Sequence, residues 1–409
     1  MSGNCHWPPV KIGDLIRESR IKGSNGSNAR KLTIRLYGRG IVASSDRGGS
    51  EATNYYVRKA GQFAYSKLDC LNGAFGIIPP HLDGYETTLD LPTFDFVGDV
   101  DPSWFLKTVA RPSFYGRFKF AAIGSRKANR VPTEEFLATR LSLPPLAEQR
   151  AIADILDAAE EAVAKTQALI EATNVARRAI VFGHIGDFRA ASRDVKLGDI
   201  VKSLDAGVSV NSEKRLKNEG EIGVLKTSSA SFGSFRPDEH KAVVRAEYSR
   251  VSTPVRGDCI IVSRMNTPEL VGANVYVDRT YPDLYLPDRL WLLDVKDRKA
   301  VNVRWLALVI SSERFRNRLS ALATGTSGTM KNLSKKLVLG LSIKLPPISE
   351  QERIAAMALS MDERLSTELA SLDQLKLVHA SLAQELLSGR IRLPDSIVAR
   401  HRDKAGQAA

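Results

Sequence analysis

One ten-residue segment occurs twice in the chain, and this repeat constrains the fold more than any other feature of the sequence. Residues 143–152 read LPPLAEQRAI, and residues 345–354 read LPPISEQERI, 202 positions further along. A second matching pair lies upstream, where residues 10–14 (VKIGD) correspond to residues 195–199 (VKLGD). Matching segments in the same order indicate an internal duplication. The 409 residues are therefore expected to form two related halves in tandem, each long enough to bury its own core.

Between the repeated segments the two halves correspond only in outline. Trp104 and Phe114 match Trp305 and Phe315 at an offset of 201 positions. One scaffold that presents two different surfaces would leave this pattern, and so would a duplication that has diverged. We expect an α+β protein with two tandem globular domains joined by two long helices. The predicted boundaries are 1–143 and 186–344 for the globular domains, 144–185 and 345–392 for the helices, and 393–409 for a C-terminal tail.

Each LPP sequence marks the entry into a helix. Proline disfavours helical backbone at the preceding residue and is tolerated inside a helix only in the first turn. The two helices are therefore predicted to begin near Glu148 and Glu350. Glycine is common just beyond a helix C-terminus, so Gly183 and Gly389 are the expected ends.

Both predicted helices carry a heptad seam, in which the seam residues recur at alternating steps of four and three. The two seams share one register, so the helices are expected to pair. A globular domain ahead of each helix favours an antiparallel coiled coil with a pseudo-twofold axis, although a core helix pair or a zipper between two copies would show the same seam. The helix-pairing residues predicted in this way are Ile152, Leu156, Ala159, Val163, Ile170, Ile354, Ala358, Met361, Leu365, Leu372, Leu375 and Leu382.

The length of these helices suggests a spacer. A helix over residues 148–182 would be roughly 50 Å long. Two half-sites one turn of DNA apart are separated by about 34–36 Å, so such a helix pair could hold two binding domains on one face of a duplex.

The charge balance favours a polyanionic partner. The chain has 59 Lys and Arg residues against 46 Asp and Glu residues, a net charge of +13 and a pI near 9.6. Basic surfaces bind nucleic acid because each neutralised phosphate releases condensed counterions. A protein-binding scaffold with incidental positive charge would have the same balance, so this alternative stays open.

Composition excludes several other classes of protein. Cys5, Cys70 and Cys259 are too few and too scattered for a disulfide framework or a four-cysteine zinc site, which indicates a reducing compartment. No apolar run approaches the roughly 20 residues of a membrane span. The N-terminal segment lacks the layout of a secretion signal. We therefore expect a cytoplasmic protein with no bound metal and no membrane association.

The sequence lacks the short motifs of common enzymes. It has no Walker A loop, no G-x-S-x-G elbow, no H-E-x-x-H and no paired C-x-x-C. The segment YGRGI at residues 37–41 lacks the third glycine of a dinucleotide-binding loop. The (D/N)-P-P-aromatic tetrapeptide of adenine methyltransferases is also absent. We therefore expect no catalytic residue and no cofactor.

One alternative is a magnesium-dependent nuclease. Asp283, Asp294 and Lys296 have the loose spacing of nucleases in which two carboxylates hold the metal and a lysine assists the attacking water. The first half of the chain has no counterpart, and solvated charges at strand ends would give the same pattern.

Basic residues interleaved with aromatic and small residues are the better candidates for a functional surface. Arginines, lysines, hydroxyls and the backbone N–H groups of small-residue loops are the usual phosphate contacts. Helices whose phenylalanines enter the core while their arginines face water would look the same. The predicted DNA-binding residues are Ser66, Lys67, Arg117, Lys119, Arg126, Lys127, Ser263, Arg264, Arg316, Arg318 and Lys331.

The LPP(L/I)xEQxxI segment, placed twice at the start of a long helix behind a variable globular region, resembles the specificity subunit of type I restriction–modification systems. The resemblance covers nearly the whole chain, and residues 65–77 also resemble a recognition-domain segment of that family. It implies two target-recognition domains, each reading one half of a bipartite DNA sequence, and an antiparallel coiled coil that sets their spacing. It further implies two methyltransferase (modification) subunits and a motor–nuclease subunit as partners, and no active site on this chain.

Overall fold

The computed structural model of the protein describes residues 7–45, 49–120, 130–186, 192–230, 233–325 and 330–402, without the side chains of 180–182 and 184–186. The chain divides into two compact units. The first unit comprises residues 1–167 and 371–409, and the second comprises residues 168–370. Each unit is assembled around one globular region and half of each long helix.

The first unit is made of short strands and short helices. Its strands are β1 (Pro9–Lys11), β2 (Ile16–Ser19), β3 (Ile21–Asn25), β4 (Leu32–Ile34), β5 (Ile41–Ala43), β6 (Asn54–Val57), β7 (Phe63–Tyr65), β8 (Phe75–Ile77), β9 (Glu86–Thr87), β10 (Thr93–Phe96) and β11 (Arg140–Ser142). Its helices are α1 (Pro102–Val109), α2 (Pro112–Tyr115), α3 (Thr133–Ala138) and the first half of α4 (Leu146–Gly186), with 3₁₀ turns at Ile12–Asp14, Cys70–Asn72, Pro80–Leu82 and Gly116–Lys119. The sheets have the strand orders β2-β10-β7-β8, β3-β6-β9, β4-β5 and β1-β11.

Aromatic side chains fill the core of the first unit. Phe63, Tyr65 and Phe94 are fully buried, and the Tyr65 and Phe136 rings stack with centroids 4.7 Å apart. Arg58 is also fully buried, and its guanidinium donates hydrogen bonds to hydroxyl and carbonyl oxygens on neighbouring strands. Burial without a bonded carboxylate disfavours the cation and lowers the pKa of Arg58 to about 10.

The second unit repeats this plan with longer strands. Its strands are β12 (Arg193–Lys196), β13 (Val201–Ala206), β14 (Ser212–Glu213), β15 (Gly223–Leu225), β16 (His240–Val243), β17 (Pro254–Val255), β18 (Cys259–Ser263), β19 (Met265–Asn266), β20 (Asn274–Val277), β21 (Tyr281–Tyr285), β22 (Leu290–Val295), β23 (Lys331–Asn332) and β24 (Ser342–Leu345). Its helices are α5 (Leu197–Ile200), α6 (Val303–Ser311), α7 (Glu313–Leu322), α8 (Lys335–Leu339) and the first half of α9 (Ile348–Ser388), with 3₁₀ turns at Thr227–Ala230 and Arg245–Arg250. The main sheets have the orders β13-β22-β18-β20 and β14-β16-β15-β21-β17, and the pairs β12-β24 and β19-β23 lie beside them.

The long helices α4 and α9 each contain 41 residues and begin directly after the second proline of the LPP sequence, two residues before the expected position. The carbonyl of Pro145 accepts the first hydrogen bonds of α4, and the carbonyl of Pro347 does the same for α9. Helix α4 continues through Gly183, so the predicted end there is wrong. The predicted end at Gly389 is confirmed, because this residue has φ 72° and closes a Schellman motif after Ser388.

The two long helices pack together within each unit. In the first unit, Glu148 of α4 contacts Arg392, just beyond the end of α9, and Glu160 of α4 lies 3.4 Å from His379 of α9. The contacts run in opposite directions along the two helices, so the pairing is antiparallel. In the second unit, the guanidinium of Arg177 donates two hydrogen bonds to the carboxylate of Asp362. The predicted α+β fold with paired long helices is confirmed.

The predicted seam residues occupy positions of low exposure on the two helices. Those that lie nearest the globular regions, such as Ile152 and Ile354, are also part of the two main cores. The predicted helix-pairing residues are all buried or half-buried: Ile152, Leu156, Ala159, Val163, Ile170, Ile354, Ala358, Met361, Leu365, Leu372, Leu375 and Leu382. A short helix, α10 (Asp395–Ala399), follows within the first unit.

Candidate nucleic-acid interface

The glutamine of the repeated segment fastens the long helix to its globular region. Gln149 is fully buried. Its Nε2 donates to the carbonyl oxygens of Pro144, at 2.8 Å, and Asp99, at 3.1 Å, while its Oε1 accepts the backbone N–H of Asp101 at 2.8 Å. One side chain thereby satisfies three backbone groups at the point where the helix meets the domain.

The second unit contains the same arrangement. Gln351 is fully buried, its Nε2 donates to Pro346 O at 2.9 Å and Ala300 O at 3.1 Å, and its Oε1 accepts the N–H of Asn302 at 2.9 Å. The scaffold that connects the helix to the domain is therefore common to both units.

In both units, the residue whose backbone N–H is bonded to the glutamine also caps the next helix. The side chain of Asp101 accepts the N–H of Trp104 at the start of α1, and the side chain of Asn302 accepts the N–H of Trp305 at the start of α6, both at 2.9 Å. The capping interaction satisfies a backbone N–H that the helix leaves free. A continuous path of hydrogen bonds thus runs from each long helix into its globular region.

The glutamate beside each glutamine behaves differently in the two units. The Glu148 side chain is 4% exposed and accepts hydrogen bonds from Arg392 and from the indole N–H of Trp7. The Glu350 side chain is 33% exposed and pairs with Arg353 one turn along the same helix. The two copies of the repeat therefore share the contacts of the glutamine side chain, whereas the contacts of the glutamate side chain differ between them.

Two predicted DNA-binding arginines occupy equivalent places in the two units. Arg117 donates to Arg140 O at 3.4 Å, and Arg318 donates to Ser342 O at 2.7 Å. Both guanidinium groups also lie over phenylalanine rings of the cores. Both residues remain exposed, so these contacts position the groups without removing them from solvent.

Ser66 and Ser263, two of the predicted DNA-binding residues, are buried in the structure. They are 6% and 0% exposed, respectively. The Oγ of Ser66 accepts the N–H of Asp69 at 3.1 Å, and the Oγ of Ser263 accepts the side-chain N–H of Asn266 at 3.2 Å. Both hydroxyls therefore accept hydrogen bonds from residues three positions further along the chain.

The remaining predicted residues have mixed exposure. Of those that the structure describes, Lys119 is exposed and the other four are half-buried. Arg264 lies over the Trp291 ring at 5.6 Å, and Arg316 donates to Glu269 O at 2.8 Å while burial lowers its pKa. The half-buried residues are Lys67, Arg264, Arg316 and Lys331. Arg126 and Lys127 lie outside the described residues.

The second unit has a basic groove that the sequence analysis missed. Two adjoining depressions of about 410 and 340 Å³ share Lys226 and Lys241, and together they define the groove. Strand pairing places Lys241 opposite Val224, and Ser212 opposite Val243, so Ser212 and Lys241 lie on one face of the β14-β16-β15-β21-β17 sheet. The polar and charged lining comprises Ser209, Ser212, Lys214, Arg215, Lys226, Thr227, His240, Lys241, Asp288 and Arg289.

Some cations of the groove are paired with carboxylates and others are not, and Arg215 pairs with both Glu213 and Glu221. Lys226 is 3.4 Å from Glu239. Within the part of the chain that the structure describes, Lys241 and Arg289 form no ion pair. Hydroxyls and unpaired cations on one concave face are what phosphate oxygens require. The groove could not be predicted from the sequence, because its residues are scattered over residues 209–289 and come together only through strand pairing.

The structure separates the three residues of the nuclease alternative. Asp283 lies on β21 and contacts Lys217 at 3.6 Å, whereas Asp294 lies on β22, in a different sheet, and pairs with Arg298 at 2.9 Å. The Nζ of Lys296 donates to Gly198 O at 2.9 Å. No group of three or more His, Cys, Asp or Glu side chains among the described residues is arranged to hold a metal ion. The geometry gives the nuclease alternative no support.

No helix among the described residues is long and apolar enough to span a membrane. Burial raises the pKa of Cys70 to about 12 and also raises that of Cys259. Both thiols are free and buried, so neither has the character of a reactive nucleophile.

Comparison with known proteins finds one matching family model and several relatives. A family model described as the type I restriction modification DNA specificity domain matches residues 192–376. The type I restriction enzyme EcoEI specificity subunit of Escherichia coli is 24% identical over 186 residues, which cover 44% of this chain and 31% of that protein. The MjaVIII specificity subunit of Methanocaldococcus jannaschii is 25% identical over 286 residues, which cover 64% of each protein. The matched segments thus span less than two thirds of either relative.

Solved structures share the fold over nearly the whole chain. The S subunit of a type I restriction-modification system from M. genitalium has a TM-score of 0.56 at 14% identity, covering 94% of this chain and 97% of that one. The HsdS subunit of Thermoanaerobacter tengcongensis has a TM-score of 0.51 at 15% identity, covering 96% and 99%. The fold is thus that of the S-subunit class, with two α+β units and two long helices. The chain is thus similar to type I restriction–modification specificity subunits, in the family model over residues 192–376 and in fold over nearly the whole chain, in agreement with the resemblance of its repeated segments.

Proposed function

We propose that this chain selects the DNA target of a type I restriction–modification complex, with each unit reading one half of a bipartite duplex sequence. One observation carries the proposal. Gln149 and Gln351 make the same three contacts and fasten each helix identically, while the surfaces built on that common scaffold differ. A shared attachment with different surfaces is what reading two different half-sites requires.

Phosphate contacts are proposed for the exposed cations of both units. In the first unit these are Arg117 and Lys119, and in the second they are Arg318 and the basic groove around Lys241 and Arg289. Such contacts fix register and orientation on the duplex, and base edges then supply the sequence information.

The paired helices are proposed to set the gap between the half-sites. A hydrogen-bonded attachment at each helix start transmits the helix position to the domain without a flexible joint. Deletion of seven residues from each helix, which keeps the heptad seam, should shorten the gap in the recognised sequence. An unchanged gap would disprove the spacer role.

Two methyltransferase subunits and a motor–nuclease subunit are the proposed protein partners, and the complex is proposed to act in the cytoplasm. Several large apolar side chains on the long helices are exposed to solvent, and we propose that they contact these partners. They include Leu169, Val175, Leu359, Leu369, Leu377 and Val378.

The chain is proposed to be non-catalytic, and a single assay tests this together with DNA selection. The full-length chain is incubated with a pool of random duplexes, and the bound fraction is sequenced. Two enriched blocks separated by a fixed gap are expected, with no cleavage when Mg²⁺ is added. A bound fraction without enriched sequence would contradict the specificity role. Cleavage abolished by Asp294→Ala and Lys296→Ala would restore the nuclease alternative.

A further inference from the structure

We propose that the hairpin tip of the first unit, residues 35–40, contacts base pairs by inserting the Tyr37 ring into a groove of duplex DNA. This inference rests on the proposed DNA-specificity function and assigns the element that performs it in the first unit. Phosphates on either side of the groove would be contacted by Arg35 and Arg39.

The tip has the backbone of a tight hairpin turn. Strands β4 and β5 pair with Ile34 opposite Ile41, and the N–H of Arg35 donates to Gly40 O at 2.9 Å. Tyr37 and Gly38 follow with φ of 59° and 69°. Positive φ at two successive positions is the pattern of a type I′ turn, in which Asn-Gly is the favoured pair. A tyrosine therefore occupies a position where its bulk is conformationally unfavourable.

The unfavourable conformation is held by specific contacts. The N–H of Tyr37 donates to Asn72 O and the N–H of Gly38 donates to Gly73 O, both at 2.9 Å. Gly73 itself has φ 70°, and a Cβ at this position would lie 3.4 Å from the Tyr37 Cα. A strained residue that its surroundings enforce is typical of a functional site.

The tyrosine ring is presented to solvent and does not pack against the core. Tyr37 is 70% exposed and Leu36 is 36% exposed. The base of the same hairpin is firmly anchored, because Leu32, Ile34 and Ile41 are 5–7% exposed and belong to one buried cluster. The ring therefore contributes nothing to the core that would explain the strain.

The positive charge around the hairpin tip favours DNA as its binding partner. Arg35 and Arg39 are exposed on either side of Tyr37, and neither forms an ion pair with any residue that the structure describes. Arginines contact phosphates, and apolar or aromatic side chains enter a groove of the duplex and insert between stacked base pairs. A ring between two unpaired guanidinium groups combines both requirements.

The test compares variants of the full-length chain on one pool of random 40-base-pair duplexes. Tyr37→Ala should lose enrichment in one of the two half-sites, with at least about fivefold weaker binding to the wild-type target. Tyr37→Phe should retain both half-sites, because it keeps the ring. Tyr37→Gly should lose the same half-site as Tyr37→Ala without a lower melting temperature, since glycine accepts the positive φ. Ile391→Ala removes another exposed apolar side chain, 51% exposed and located beyond α9, and should change neither half-site.

The outcomes distinguish this inference from the proposed function. Enrichment of both half-sites by Tyr37→Ala, as by the wild-type chain, would overturn the role of the tip and leave the specificity function intact. A lower melting temperature for Tyr37→Gly with unchanged selection would assign Tyr37 a structural role instead. Failure of the wild-type chain to enrich any sequence would overturn both proposals.

Discussion

The carboxylate of Glu148 and the guanidinium of Arg392 form a two-point ion pair, with both N–O distances at 2.7 Å, across 244 residues of sequence. The pair closes the first unit, because Glu148 lies at the start of α4 and Arg392 lies just after the end of α9. Trp7 adds a third contact to the same carboxylate. The C-terminal segment after α9 is thereby tied to the first globular region.

Loss of this ion pair should destabilise the first unit. Arg392→Ala leaves a buried carboxylate without its cation, which should lower the free energy of unfolding by about 2–4 kcal/mol, given that Arg392 is itself partly exposed. Arg353→Ala breaks the exposed pair with Glu350 and should lower the free energy of unfolding far less, because solvent screens an exposed ion pair. Urea unfolding of both variants measures the difference. An equal loss of unfolding free energy in the two variants would show that the burial of Glu148 does not strengthen its ion pair.

Replacement of either buried glutamine should have a similar cost in both units. Gln149→Ala and Gln351→Ala each remove the glutamine partner of three backbone groups, one buried and two partly buried, and we expect a loss of about 2–4 kcal/mol in unfolding free energy. Gln149→Glu should be at least as damaging at neutral pH, because a carboxylate would face two carbonyl oxygens. A Gln149→Glu variant as stable as the wild-type chain would contradict the hydrogen-bond assignment.

The basic groove should dominate the salt dependence of binding by the second unit. Lys241→Gln with Arg289→Gln should reduce the slope of log affinity against log salt concentration by about 2, at about 0.9 per phosphate contact. The control is Lys344→Gln, because the Nζ of Lys344 is already paired with Asp194 at 2.7 Å. Fluorescence anisotropy with one duplex at several salt concentrations gives the slopes. An unchanged slope in the double variant would remove the groove from the interface.

The thiol of Cys70 should be inert in the folded protein. Its burial raises the pKa to about 12, so the reactive thiolate is scarce at pH 8, and alkylation should be far slower than for an ordinary cysteine with a pKa near 8.5. The rate should rise as the pH approaches 12 or when the protein is unfolded. Mass spectrometry of peptides containing Cys70 after iodoacetamide treatment measures it. Rapid labelling at pH 8 would mean that the Cys70–Asn72 turn, which supports the Tyr37 tip, opens readily.

The features that the sequence predicts well are periodic or repeated. The two paired long helices could be predicted because a heptad pattern indicates helix packing directly. The LPP sequences located the helix starts to within two residues, because proline restricts the backbone in a way that depends little on tertiary contacts. The predicted helix end at Gly183 is wrong because a glycine inside a stable helix lowers helix propensity without ending the helix.

The features that it predicts poorly depend on long-range contacts. Ser66 and Ser263 are predicted DNA-binding residues, but local turns bury their hydroxyls. The groove residue Lys241 gains its neighbours only through strand pairing. Tyr37 was noted only as part of an incomplete dinucleotide motif, since positive φ at a tyrosine has no reliable sequence signature.

The most direct test of the central claim is a genome-wide map of adenine methylation. Cells expressing this chain together with a type I methyltransferase subunit that associates with it are compared with cells expressing that methyltransferase alone. The account predicts a new split motif, two specified blocks separated by a fixed unspecified gap, that appears only when both proteins are present. No new methylation, with both proteins folded and associated, would contradict the claim that this chain selects the DNA target.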